Sequence, residues 1–254
     1  MSEDAKPLWA RAGWVIAAAF LAGLGGWIFT QTRDRVQASF EGAPLVLHVE
    51  HDTGEPMNPG LVTSALVTGT EHRPEDITAA ETENFGWRNR SRDWSDIATR
   101  THAIRVEFRT SLAEPVVIRR IEPRILKRAD PLAGWFIADG GCGGMALRTA
   151  FVDFDAEAPK AMLSGFDDPD TEVFYVSRNE VEIVEFHAMT TSHYVEWVYD
   201  IHYTTPAGPQ VTTIDNDGAP FRMSGEASSK AYTFDYSTGS IIRYPDWDGG
   251  IVMC

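Results

Sequence analysis

The sequence is poor in cysteine and in positive charge, and it carries no catalytic signature. Cys142 and Cys254 are its two cysteines in 254 residues. None of the seven histidines (His48, His51, His72, His102, His187, His193 and His202) forms a spaced pair with cysteine, which excludes a finger-type zinc site. His193 and His202 read as strand residues. No Lys-Ser or Lys-Thr follows Gly140-Gly141-Cys142-Gly143-Gly144, which excludes a phosphate loop. Cys254 is the last residue rather than the fourth from last, and no cysteine closely follows the apolar run, so lipidation patterns are absent. Lys and Arg number 22 against 37 Asp and Glu, giving a net charge of −15. A surface this acidic is repelled by phosphate backbones, so nucleic-acid partners are excluded. There is no internal repeat and no low-complexity tract. Beyond residue 32 no segment shows a convincing amphipathic helical period.

What the chain does contain is a run from Ala12 to Thr32 without Asp, Glu, Lys, Arg or His. As a helix at ~1.5 Å per residue it spans ~30 Å, the thickness of a bilayer's hydrocarbon core. Trp14 and Trp27 sit near its ends, where indoles favour the headgroup boundary, and Arg11 and Arg33 fence it. A cleaved signal peptide is the alternative, with Val36-Gln37-Ala38 as the cleavage region. The run exceeds the usual ~7–15 residues of a signal's apolar stretch, which favours an uncleaved anchor. Lys6, Arg11 and the terminal amine flank one end, and Arg33 and Arg35 the other. The amine tips the short N-terminus inward and the rest of the chain outside the cytoplasm, in the plasma membrane. Ala18, Ala22 and Gly26 share one helix face, a spacing that permits helix self-association. The alternative is that Ala and Gly are common in such helices.

The net charge lies beyond the anchor, because Lys6 and Arg11 balance Glu3 and Asp4. There the dominant period is two. Leu45, Leu47 and Val49 fall on one face, and Ile104, Val106 and Phe108 alternate with Arg105, Glu107 and Arg109. Val195, Trp197, Tyr199, Ile201 and Tyr203 alternate with Glu196, Asp200 and His202, and Tyr232, Phe234 and Tyr236 make a further stripe. Turn signals at Asn58-Pro59-Gly60, Ala129-Asp130-Pro131, Asp168-Pro169-Asp170, Pro206-Ala207-Gly208-Pro209 and Asn216-Asp217-Gly218 punctuate these strands. A helical turn is expected near Pro74 to Glu83. The pattern predicts a mainly β protein: an N-terminal transmembrane helix followed by an antiparallel β-sandwich-like domain. Residues 1–11 form a short tail, 12–32 the transmembrane helix, 33–43 a linker and 44–254 the extracytoplasmic domain. Residues 110–126 and 173–205 are its expected central strands.

Several groupings bear on chemistry. An even cysteine count outside the cytoplasm invites a Cys142–Cys254 disulfide, against the alternative of two free thiols. The bridge would close a loop worth up to ~4–5 kcal/mol. Asp167, Asp168, Asp170 and Glu172, like Asp246 and Asp248, match no calcium-loop spacing and read as solvated acidic turns. No metal or cofactor is assigned. Trp87, Arg88, Arg90, Arg92 and Trp94 form a basic and aromatic patch, the best contact surface in the sequence. If that segment is extended, its three arginines share one face. The alternative is arginines paired with acidic neighbours and tryptophans packed in the core. Asn89-Arg90-Ser91 fits a glycan acceptor in a eukaryotic secretory pathway.

From Thr99 onward the order of features resembles that of a known group. Thr-His-Ala-Ile-Arg-Val-Glu-Phe is followed by Glu-Pro-Val-Val-Ile-Arg-Arg-Ile, Gly-Gly-Cys-Gly-Gly-Met-Ala-Leu-Arg and Phe-Val-Asp-Phe-Asp. Then come Tyr194 to Tyr203 with a central Trp, Asp215-Asn216-Asp217-Gly218 and Pro220-Phe221-Arg222. This C-terminal stretch resembles uncharacterised single-pass membrane proteins of actinobacteria. The resemblance implies a bacterial plasma-membrane protein with a β-rich outer domain, and it brings no activity and no site residues. The sequence reading is therefore a membrane-anchored binding or interaction protein with a protein partner. An extracytoplasmic hydrolase using carboxylates or Cys142, and an accessory subunit of a membrane assembly, are the alternatives.

Overall fold

The computed structural model describes residues 43–51, 64–77, 90–91, 93–95, 97–138, 148–164, 173–235 and 237–244. The run 12–32, with Ala18, Ala22 and Gly26, lies outside these residues, as do Cys142, Cys254 and the acidic turns at 167–172 and 246–248. Among the described residues no helix is long and apolar enough to cross a membrane.

The chain is mainly β and builds three sheets. The first has the order β1 (Val46–His51), β5 (Thr101–Arg109), β11 (Glu182–Met189), β8 (Thr149–Asp153) and β9 (Ala161–Leu163). The second runs β10 (Phe174–Val176), β6 (Val116–Ala129), β12 (Tyr194–Thr205), β14 (Phe221–Ser224), β4 (Ala98–Thr99) and β2 (Ser64–Ala65), with β13 (Gly208–Ile214) also paired to β12. The third runs β16 (Ser240–Arg243), β15 (Ser229–Asp235), β7 (Gly134–Ile137) and β3 (Val67–Thr68). A short 3-10 turn at Pro74–Asp76 occupies the start of the expected helical turn.

The period-two stripes of β5 and β12 face inward as the alternation requires. Ile104, Val106 and Phe108 are buried, and so are Val195, Trp197, Tyr199, Ile201 and Tyr203. The first two sheets bury these residues in one shared core. Phe108 meets Phe174 edge-on at 5.4 Å, and Phe186 lies 4.8 Å from Tyr199, so rings from both sheets interlock. Trp197 is fully buried at the centre, 4.9 Å from Phe154 and 5.6 Å from Phe221. Burying a large apolar side chain contributes about 1.5–3 kcal/mol, so this cluster dominates the fold's stability. The third sheet has small cores of its own, around Val67, Ile77, Trp135 and Ile137, and around Leu66, Phe136 and Ala231.

The expected antiparallel arrangement holds only in part. β8 pairs parallel with β11, β4 with β14, and β7 with β15. Each of these partners is far apart in sequence, and a parallel pair needs a long crossover connection rather than a hairpin. Period-two alternation fixes which face is buried, but it is the same for either strand direction. The turn signal at Asn216-Asp217-Gly218 is local and holds, while those at 58–60 and 168–170 lie outside the described residues. Asp217 and Gly218 both have positive φ (52° and 88°), closing a tight turn through the Asn216–Ala219 bridge.

Candidate functional site

The outer face of the second sheet carries the most unusual side-chain grouping. On this face β6 presents Arg119, Arg120, Arg124 and Lys127, with Glu122 among them, whereas Arg128 lies opposite the buried Val195 and donates to the Phe154 and Ala156 carbonyls at 3.0 and 3.3 Å. Facing them from β12 are Glu196, Asp200, His202 and Thr204. In a chain of net charge −15 this strand is a positive island.

Local geometry sharpens it. β6 and β12 pair with two register shifts, so Arg119 and Leu126 are extra residues on β6. His202 lies opposite Arg120 while Tyr203 lies opposite Ile118, and Arg119 falls between. Regular alternation would send one of two adjacent arginines into the core. The bulge leaves both exposed on the His202 side. The second bulge does the same for Leu126 and Lys127, and Leu126 is 50% exposed.

The groups pair unevenly. Arg124 donates to Asp200 at 2.6 and 3.1 Å, and Thr213 donates to the same carboxylate at 2.7 Å. Hydrogen bonding from Arg124 lowers the Asp200 pKa, working with Thr213 against burial. Lys127 lies 3.5 Å from Glu196, which also accepts from the Tyr194 hydroxyl at 2.7 Å. Glu122 sits between Arg120 at 2.9 Å and His202 Nε2 at 3.2 Å. Arg119 reaches only the Thr204 hydroxyl, at 3.4 Å, and has no ion pair among the described residues. An open groove of about 490 Å³ lies here. β6 lines it with Arg119 and Arg120, β12 with His202, Tyr203 and Thr204, and β13 with Pro209, Gln210 and Val211. Its chemistry is that of an anion receptor: charged forks, an imidazole and a hydroxyl beside apolar carbon.

The sequence-expected patch is placed differently. Trp87, Arg88 and Arg92 lie outside the described residues. Arg90, Ser91, Asp93 and Trp94 have helical backbone, so the extended arrangement that would align three arginines is not adopted there. A helix instead brings residues four apart together. The Arg90 guanidinium accordingly lies 5.8 Å from the Trp94 ring centroid. The His72 ring stacks on Trp94 at 4.5 Å with 5° between planes, and Trp135 meets Trp94 edge-on at 6.1 Å. Trp94 is thus half-buried against a satellite core, with ring partners already in place. Arg90 is exposed.

Two other titratable clusters fold back on themselves. Asp155 accepts from the Thr190 and Thr191 hydroxyls and the Thr191 N–H, each at 2.7 Å, and lies 3.1 Å from His193 Nδ1. A carboxylate that orients an imidazole can serve catalysis when a nucleophile is near. Here the Ser192 hydroxyl contacts Thr191 at 3.2 Å instead, and the cluster closes a loop. On the first sheet, Glu185 is buried and pairs with Arg105 at 2.6 Å and His187 at 3.8 Å. Among the described residues no group of three or more His, Cys, Asp and Glu is placed to hold a metal ion.

The basic face was present in the sequence as the cations Arg119, Arg120, Arg124 and Lys127. Residues 110–126 read there as a central strand, which says nothing of a bulge. No protein-family model, curated protein or solved structure matches the chain.

Proposed function

We propose that this protein is a membrane-anchored, extracytoplasmic binding module whose contact surface is the basic outer face of the second sheet. Residues 12–32 span the plasma membrane, 33–43 link to the domain, and the first two sheets act as a sandwich presenting that face. Ala18, Ala22 and Gly26 offer a helix surface for self-association, and a Cys142–Cys254 bridge secures the C-terminus. The reading agrees with the resemblance to single-pass membrane proteins of actinobacteria.

One observation carries the choice of surface. Four cations, Arg119, Arg120, Arg124 and Lys127, stand against three carboxylates on the outer face of β6 and β12 while the whole chain is strongly negative. At ~0.1 M salt the Debye length is ~10 Å, so a ligand at the face feels this local field rather than the distant excess of carboxylates. The ligand class is anionic. Long nucleic acids remain excluded, because they extend beyond the island into repulsion.

The test uses full-length protein in non-ionic detergent on a sulfonate matrix at ~0.1 M salt. A protein of this net charge should flow through unless a basic face holds it. Retention that disappears in the R119A/R120A/R124A/K127A variant is the expected result. Wild-type protein that flows through, or a variant retained as well as wild type, would overturn the reading.

A further inference from the structure

The β6 bulge sets two like charges side by side on the solvent-facing surface. Arg119 and Arg120 are both exposed, and both lie on the side of His202. Such a pairing is unfavourable unless an anion offsets it. Glu122 offsets Arg120 and holds His202, and nothing of opposite charge offsets Arg119 among the described residues.

We propose that Arg119, Arg120, His202 and Thr204 form a binding site for a phosphomonoester group. This deepens the basic-face reading and rests on it. Two strands line the groove with polar groups: two guanidinium forks from β6, and an imidazole, held through its Nε2 by Glu122, and a hydroxyl from β12. A carboxylate has two oxygens in one plane and, like Glu122 between Arg120 and His202, engages only part of a donor set spread in this way. A phosphomonoester has three terminal oxygens in a tetrahedral array and a charge near −2, which suits paired arginines. A phosphodiester has only two free oxygens and a single charge, so nucleic-acid backbones and ordinary lipid headgroups fit less well. Glu122 already takes the place of a planar anion between Arg120 and His202, which directs the incoming group towards Arg119. The groove, at about 490 Å³, is larger than a phosphate, and leaves the organic part of the ligand against Pro209 and Val211. Val211 is 56% exposed, an apolar surface available for that contact.

The experiment is calorimetric titration of full-length protein in non-ionic detergent with inorganic phosphate and with glycerol phosphate. Saturable binding is expected for both, weakened about tenfold or more in R119A/R120A, since charge-assisted bonds are lost. The substituted side chains are exposed, so thermal melting should be unchanged and will show that the variant is folded. Equal binding by wild type and variant would overturn the site. So would equal binding of succinate, which removes the three-oxygen argument, or of phosphodiester-headgroup vesicles, which removes the monoester. Absence of phosphate binding with sulfonate-matrix retention intact would refute this site and spare the basic-face reading. Loss of both would refute both.

Discussion

At the scale of single residues, Asp155 shows how one carboxylate fixes a loop. Burial pushes its pKa up, but hydrogen bonds from Thr190, Thr191 and His193 outweigh burial and hold it far below the usual carboxylate range. The same loop passes so close to Gly225 that a Cβ there would collide with the Thr191 carbonyl. Asp155→Ala should lower stability by about 2–3 kcal/mol, because several charge-assisted hydrogen bonds go at once. The pH dependence follows from the sign of the shift. A depressed pKa stabilises the fold above the unfolded value of ~3.9 and loses that effect as pH falls towards the folded value. The gap between wild type and variant should therefore be constant from about pH 5 to 8 and narrow below about pH 4. Urea denaturation at neutral and acid pH measures it, and a gap unchanged in acid would show that the clamp does not depend on charge. Nothing in the sequence marked this cluster, since Asp155 lies 35 residues or more from the groups it binds. The Trp94 surroundings were hidden for a similar reason. Its partners His72 and Trp135 come from distant segments, while the sequence showed only its local arginines.

At the scale of elements, legibility depends on whether the deciding interaction is local. In β12 the inward set Val195, Trp197, Tyr199, Ile201 and Tyr203 follows from alternation alone, because burial of one face is a period-two property. The β6 bulge is different. It is defined by pairing with β12, more than 70 residues away, and adjacent arginines in a sequence look the same with or without it. In the third sheet only β15 was legible, through the alternation of Tyr232 and Phe234, while its pairing with the short β7 and the place of β3 depend on partners far along the chain. Gly134 in β7 tests how that sheet is held. A Cβ there would press into the Val67 carbonyl and the Leu66 side chain, across the β3–β7 pairing. Gly134→Ala should destabilise this sheet by about 1–3 kcal/mol, the usual cost of overpacking. Hydrogen exchange gives a local readout. Amides of Val67 and Trp135 should lose protection while those of β12 keep theirs, and unchanged exchange in β3 and β7 would refute the contact.

At the scale of the whole molecule, charge and apolar surface make opposite demands on where the protein resides. A net charge of −15 is repelled by anionic headgroups, so surface electrostatics alone cannot keep the chain on a bilayer. Any hold the basic face has on anionic headgroups is screened at high salt, so it cannot keep the chain on a bilayer through such a wash. Any stable membrane association must come from the uncharged stretch 12–32, whose length matches the ~20 residues a spanning helix needs. We predict that full-length protein stays in the membrane fraction through high-salt and alkaline washing, which strip proteins held by charge. Detergent, by replacing lipid around the apolar run, should release it. A peripheral protein would instead leave the membrane in either wash. Recovery of a shorter soluble form beginning near Ser39 would show that the run is a cleaved signal. The basic groove would then face its ligand on a free protein rather than a tethered one.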